Sequence, residues 1–241
     1  MLTALVHSKV SFVGDVEARL GTADARGLAR REDPLTATVF ERFSYLPSVV
    51  LLDALTSAVE PITDKVELPR PEGRARWSFW PRFRPRGESS ARRFVEPDVV
   101  IEWDQTVFIL EAKHLGVQTV WQWREQVRSA MSDPSLGWRD KDLTLIAVGG
   151  RRPDLDSARA VASSDLGCSV FRLRWRRLRA AVAELAHRSE GPKQRLLDDV
   201  VRGLDYWGYA PAPGLGSLGR GDTNSSFLSS RRILQFGSND E

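Results

Sequence analysis

Apolar residues recur along the chain with two periods, and each period predicts a different kind of element. From Pro34 to Leu46 they return every three or four positions, which indicates a helix with one buried side. Asp33 suits the N-cap of this helix, and Pro34 suits its first turn. The run from Ser48 to Val59 predicts a second buried helix, closed by Pro61. Further helices are predicted over residues 15–30, 118–131, 176–187 and 194–207.

Shorter runs rich in β-branched residues predict strands. Residues 99–103 and 106–110 are separated by Asp104 and Gln105 alone, which predicts an antiparallel hairpin. Residues 143–148 (LTLIAV) form an apolar run ended by two glycines, typical of a strand covered on both faces. Other strands are predicted over residues 169–175 and, as an edge strand interrupted by Pro81, 77–83. This order of elements predicts an α/β fold, a mixed β-sheet flanked by helices.

Composition limits the class and the expected location of the protein. Of 241 residues, 41% are apolar and 28% are charged, which is ordinary for a globular domain. The single cysteine, Cys168, excludes an internal disulfide and a metal site built from several thiolates. The first ten residues lack the apolar run of a signal peptide or a membrane span, so the expected location is the cytoplasm.

Arginine is concentrated in two segments. Eight arginines and two acids lie between Arg70 and Arg93, and five arginines with no acid lie between Arg172 and Arg179. Guanidinium groups pair with phosphate and stack on bases, so these segments are consistent with nucleic-acid binding. A solvated basic face is the structural alternative. The residues predicted to contact nucleic acid are Arg82, Arg84, Arg86, Arg92 and Arg93.

Two carboxylates and a lysine occupy the ends of the predicted hairpin. Glu111 and Lys113 are two positions apart, so on a strand they share a face. In an antiparallel pair Asp98, at the start of the first strand, lies across from them, and the three groups converge at one edge of the sheet. Two carboxylates with the carbonyl of Ala112 suit Mg²⁺ or Mn²⁺. Glu102 shares the strand parity of Asp98 and is a further candidate for this edge.

This pattern resembles the PD-(D/E)XK nuclease superfamily, which has a restriction-endonuclease-like fold. The matching residues are Pro97-Asp98, twelve intervening residues, and Glu111-Ala112-Lys113. Residues 34–150 follow the αβββαβ order of the family core, and the C-terminal helices lie outside it. The resemblance implies a metal-dependent phosphodiesterase in which Asp98 and Glu111 bind the ion and Lys113 assists the attacking water.

The resemblance extends to both flanking helices. It implies that Glu41, on the first core helix, adds to the metal shell. Many members also carry Gln-x-x-x-Tyr on the helix after the lysine; Gln122 matches the glutamine, whereas Gln126 stands at the tyrosine position. The predicted catalytic residues are therefore Asp98, Glu111, Lys113 and Gln122, and the predicted metal ligands are Glu41, Asp98, Glu111 and Ala112.

The sequence thus predicts four regions and one main function. The regions are an N-terminal extension (1–33), a nuclease core (34–150), a C-terminal strand and helices that complete the domain (151–210), and a flexible tail (211–241). The expected function is Mg²⁺-dependent or Mn²⁺-dependent cleavage of DNA, in bacterial defence or mobile-element biology, by a homodimer or with a partner protein. One alternative is a nuclease-fold subunit that binds nucleic acid or protein and cuts little. Another is a small-molecule phosphodiesterase on the same fold.

Overall fold

The computed structural model describes residues 32–62, 66–84, 94–151 and 167–212. The predicted helix over residues 15–30 lies outside these ranges, as does nearly all of the predicted tail. Arg82 and Arg84 are described, whereas Arg86, Arg92 and Arg93 are not. The proposals for these undescribed residues therefore stay predictions.

Five helices are described, and the predicted apolar periods explain which sides they bury. Leu35, Val39 and Phe43 are fully buried on the first helix at four-residue steps. Among the described helices, none combines the length and the apolar character that crossing a bilayer requires. The helices are α1 (Glu32–Ser44), α2 (Ser48–Ala58), α3 (Val120–Ser132), α4 (Trp175–His187) and α5 (Gly191–Leu204), and a π-helical turn, Asp205–Tyr209, follows α5.

Six strands form one mixed sheet in the order β1-β6-β5-β4-β3-β2. Strands β4, β5 and β6 are parallel to one another, and the remaining neighbours pair antiparallel. The strands are β1 (Val59–Pro61), β2 (Arg76–Phe79), β3 (Val99–Glu102), β4 (Thr106–Val117), β5 (Asp142–Arg151) and β6 (Ser169–Leu173). The predicted α/β architecture, a mixed sheet flanked by helices, is confirmed at this level.

Helices cover both faces of the sheet and divide the core into two layers. One layer packs α1, α2, α4 and α5 against one face, where Phe108, Leu110 and Ala112 of β4 are buried. The other layer packs α3 against the opposite face, where Val107 and Ile109 of β4 are buried. Because side chains alternate along a strand, Glu111 and Lys113 belong to the α3 layer.

Several boundaries differ from the predicted ones, and three of them have a clear physical cause. The second helix ends at Ala58 because Val59 turns to extended backbone and pairs with Leu173 as the start of β1. This strand has only three residues, too few for an alternating pattern to be recognised in the sequence. The last helix begins at Gly191, since a proline in the first turn needs no hydrogen-bond partner for its nitrogen. Strand β4 continues to Val117 because β5 runs alongside it.

Candidate active site

The hairpin of β3 and β4 brings the predicted acidic residues together. The register pairs Val99 with Leu110, so the next position along places Asp98 across from Glu111. Asp98 Oδ2 accepts a hydrogen bond of 2.7 Å from the backbone N–H of Ala112. The amine of Lys113 donates a hydrogen bond to Glu111 Oε1. Asp98, Glu111 and Lys113 therefore lie together at one edge of the sheet.

The carboxylate of Glu111 is buried, with 1% of the residue exposed, and it is surrounded by donors. Besides Lys113, Gln122 Nε2 donates to Oε1 at 2.6 Å, and Gln126 Nε2 donates to Oε2 at 2.5 Å. Both glutamines lie on α3, four positions apart, and so reach the same side of the sheet. A buried carboxylate is tolerated where charge and hydrogen bonds compensate it, and these three donors supply that compensation.

Gln126 also contributes to the site, although the family pattern has a tyrosine at its position. Gln126 is fully buried and bonds to Glu111 from the position where a tyrosine was expected. Its amide oxygen, Oε1, is buried and has no hydrogen-bond partner within the described ranges. An unsatisfied buried acceptor costs free energy, so this oxygen is suited to a cation or a donor that enters the site.

The oxygen donors at this edge fit a small divalent cation. Asp98 and Glu111 supply carboxylates, Ala112 a carbonyl, and Gln126 an amide oxygen. Within the described ranges, no three or more His, Cys, Asp or Glu side chains are grouped so as to hold a metal ion. A site with two carboxylates suits Mg²⁺, which commonly takes one or two and completes its shell with water and substrate phosphate.

Glu41 lies on α1, most of whose apolar residues pack in the other helical layer. It is buried on α1, and Tyr45 donates a hydrogen bond of 3.1 Å to its Oε1. Burial, followed by this hydrogen bond, raises the pKa of Tyr45 above its ordinary value. Glu41 does not complete a group of three acids with Asp98 and Glu111, and its role as a metal ligand stays a prediction.

Arg82 and Arg84 lie near one end of β3, and Arg76 lies near the other. Near Asp98, an isolated bridge between Phe83 and Val95 carries Arg82 and Arg84 on its flanks. At the opposite end, Arg76 pairs with Glu102, which also accepts a hydrogen bond from Lys141 at 2.9 Å. Glu102 therefore lies away from the acidic pair.

Each described arginine near Asp98 is held by a local contact. Arg82 stacks over the ring of Phe94 at 4.5 Å, and its Nε lies 3.3 Å from Glu96 Oε2. The backbone N–H of Arg84 donates to Asp133 Oδ2 at 3.4 Å, and the residue is exposed.

A groove of about 1400 Å³ opens at the other end of the arginine-rich segment. It lies between the α1–α2 corner and residues 70–77, and its lining includes Tyr45, Trp77, Arg70, Arg74 and Arg76. Two of these guanidinium groups already pair with acids, Arg70 with Asp53 and Arg76 with Glu102. The groove is therefore only weakly basic, and it is separated from Asp98 by the length of β3.

No pattern in the sequence indicated that three residues next to the site contribute to it. Gln118, predicted to begin a helix, is a buried residue that precedes α3 and bonds to strand carbonyls. Trp175, predicted to end a strand, begins α4 and donates to Lys113. Gly149, predicted only to end a strand, leaves the space that Trp175 fills. Each of these contacts joins two different elements or segments, and local periodicity within one element cannot reveal it.

His114 faces away from Lys113, as the strand alternation predicts. Its Nδ1 lies 2.8 Å from the hydroxyl oxygen of Tyr209, and its ring packs edge-on against Trp207 with centroids 5.5 Å apart. Burial raises the pKa of Tyr209 to about 12. His114 thus packs beneath the C-terminal turn on the face opposite Glu111.

Comparison with known proteins gives one relative. The chain is 25% identical over 240 residues to an uncharacterized protein of Pasteurella multocida (strain Pm70), PM0110; the match covers 92% of this chain and 86% of the relative. No protein-family model matches the chain, and no solved structure matches it. The similarity therefore runs through the core and both of its flanks.

Proposed function

We propose that this protein is a metal-dependent nuclease with a restriction-endonuclease-like fold. The observation that carries the proposal is the placement of Asp98 across from Glu111, with the amine of Lys113 on the Glu111 carboxylate. With α2 and β1 inserted after α1, the element order α1, β2, β3, β4, α3, β5 is also consistent with the αβββαβ core of that family. We further propose DNA as the substrate and Mg²⁺ or Mn²⁺ as the cofactor.

In this proposal the residues of β3 and β4 hold the ion and the attacking water in place. Asp98, Glu111 and the carbonyl of Ala112 would hold the cation, whose positive charge would stabilise the transition state of phosphodiester hydrolysis. Lys113 donates hydrogen bonds to the water or to a phosphate oxygen as negative charge develops. Gln122 and Gln126 fix the orientation of the Glu111 carboxylate through their amide hydrogens.

DNA cleavage by the purified protein tests this function. Supercoiled and linear DNA are incubated with Mg²⁺, Mn²⁺ or EDTA, and the wild type is compared with Lys113→Ala. We expect cutting that requires a metal and falls by about 100-fold or more in the variant, because loss of one preorganised charge at a transition state has an effect of this size.

Lys141→Ala is a matched control. Lys141 also pairs with a strand carboxylate, Glu102, at 2.9 Å, but at the other end of the hairpin. It should keep the wild-type rate. Equal losses in the two variants would assign the effect to folding, whereas DNA binding without cutting by the wild type would favour the non-catalytic subunit.

A further inference from the structure

Side chains, rather than neighbouring strands alone, hold the backbone of Glu111, Ala112 and Lys113. The N–H of Ala112 donates to Asp98 Oδ2 at 2.7 Å, just beyond the point where the β3 pairing ends. The carbonyl of Glu111 accepts from Gln118 Nε2 at 2.9 Å, and the carbonyl of Lys113 accepts from Trp175 Nε1 at 3.0 Å. Three successive residues are thus each fixed through a backbone group.

Trp175 reaches this backbone through a gap left by a glycine. A Cβ on Gly149 would lie 2.1 Å from Trp175 Nε1 and 2.2 Å from the carbonyl oxygen of Lys113. No side chain fits in that space, and the φ of Gly149, +67°, is also one that other residues rarely adopt. Trp175 itself is 2% exposed and packs against Phe40 and Tyr209. The indole is therefore held firmly at the carbonyl of Lys113.

Gln118 holds the same segment from the α3 layer. Its amide nitrogen donates to the carbonyls of both Glu111 and Val148, so it bridges β4 and β5. Its amide oxygen accepts a hydrogen bond of 2.9 Å from Trp123 Nε1, which fixes the orientation of the amide. Both ends of this buried side chain are therefore satisfied.

We propose that Trp175 and Gln118 are positioning residues of the candidate active site. They act from the two helical layers on one short stretch of β4 and fix the direction in which Glu111 and Lys113 project. This inference rests on the proposed function, and it gives the C-terminal helices a part in the site, since Trp175 begins α4.

Trp175→Phe tests the inference, because it keeps an aromatic ring and removes only the indole N–H and part of the ring volume. Trp103→Phe is the matched control: Trp103 is also 2% exposed in the same core layer, but its Nε1 has no hydrogen-bond partner in the part of the chain that the structure describes. Gln118→Met, which keeps the length and removes the amide, tests the other layer and serves if Trp175→Phe fails to fold.

Three quantities are measured: the Kd for Mn²⁺, kcat and KM for DNA cleavage, and amide hydrogen exchange of residues 111–117. In Trp175→Phe we expect a Kd for Mn²⁺ raised by about tenfold, the size typical of losing a residue that orients metal ligands. We also expect a lower kcat at unchanged KM, and faster exchange. A partly unfolded sample would instead lower the binding stoichiometry at unchanged Kd.

The outcomes separate the inference from the function on which it rests. Trp103→Phe should match the wild type in all three quantities. Equal Kd and kcat in Trp175→Phe and Trp103→Phe would overturn the positioning role while leaving the nuclease in place. A wild type that neither binds Mn²⁺ nor cuts DNA would overturn both. In that case, faster exchange in Trp175→Phe but not in Trp103→Phe would show that the contact of Trp175 is purely structural.

Discussion

At the scale of single residues, the most informative atom is the amide oxygen of Gln126. Gln122 and Gln126 each donate one hydrogen bond to Glu111, so they contribute similarly to its orientation. They differ in that Gln126 is fully buried, and its Oε1, also buried, has no hydrogen-bond partner among the described residues. A cation bound between the carboxylates and this oxygen would remove the cost of the unsatisfied acceptor.

We therefore expect Mn²⁺ to stabilise the wild type against unfolding, by about 2.7 kcal/mol at a free concentration of 100 times Kd. The stabilisation should be largely lost in Gln126→Met and largely kept in Gln122→Met, since both variants lose one donor to Glu111 but only the first loses the buried oxygen. Urea unfolding with and without Mn²⁺ measures this. Equal losses in the two variants would show that the oxygen takes no part in metal binding.

At the scale of elements, the end of β4 depends on a close approach between β5 and α4. Gly149 and Gly137 have nearly the same positive φ, +67° and +66°, but a Cβ on Gly137 would meet no atom of the described residues within 4 Å. Gly137→Ala should cost about 1–2 kcal/mol of unfolding free energy, from backbone strain alone. Gly149→Ala should cost about 1–3 kcal/mol more, because it also forces Trp175 and Lys113 apart.

Urea denaturation of both glycine variants separates these two causes. The difference between their unfolding free energies gives the cost of the displaced indole, since the backbone strain is common to both. If the two alanine variants were equally stable, β5 and α4 would have room to move apart at low cost, and the contact between Trp175 and Lys113 would not hold β4 firmly.

The same elements show what the sequence could predict. The hairpin of β3 and β4 and helix α3 followed from local periods, and strand alternation then placed Asp98, Glu111 and Lys113 on one face. The three-residue β1 was missed because it is defined by its partner β6, not by its own pattern. The contacts of Trp175 and Gln118 were missed for the same physical reason: each depends on a residue distant in sequence whose position only the folded chain sets.

At the scale of the whole molecule, the C-terminal third shares one core with the rest of the described fold. Strand β6 pairs with both β5 and β1, and Leu178 of α4 and Leu197 of α5 are fully buried in the layer that contains α1 and α2. The candidate site lies on the opposite face of this sheet, at the end of the β3–β4 hairpin where β3 begins. Four helices pack on the far face, so substrate would approach the described fold at the end of the hairpin that carries Asp98.

On that side, Arg84 is a described arginine that can meet a phosphate. It is exposed and follows Phe83, whose partner Val95 precedes Asp98 by three residues, about 10 Å of extended chain. Each arginine that neutralises a phosphate contributes about 0.9 to the slope of log K against log salt concentration. Arg84→Ala should therefore weaken DNA binding equally for all sequences and reduce that slope by about 1.

Arg82→Ala should have a smaller effect, because its guanidinium already contacts Glu96 and the ring of Phe94. Arg188, which is exposed and pairs with Glu184 at the end of α4, provides a control in the other layer. Binding to a labelled duplex is measured by fluorescence anisotropy from about 50 to 200 mM salt. Since Arg188 follows α4, which packs on the face opposite Glu111, Arg188→Ala should leave the slope unchanged. A drop equal to that of Arg84→Ala would mean that DNA is attracted by overall charge and not guided to the end of the hairpin that holds Asp98.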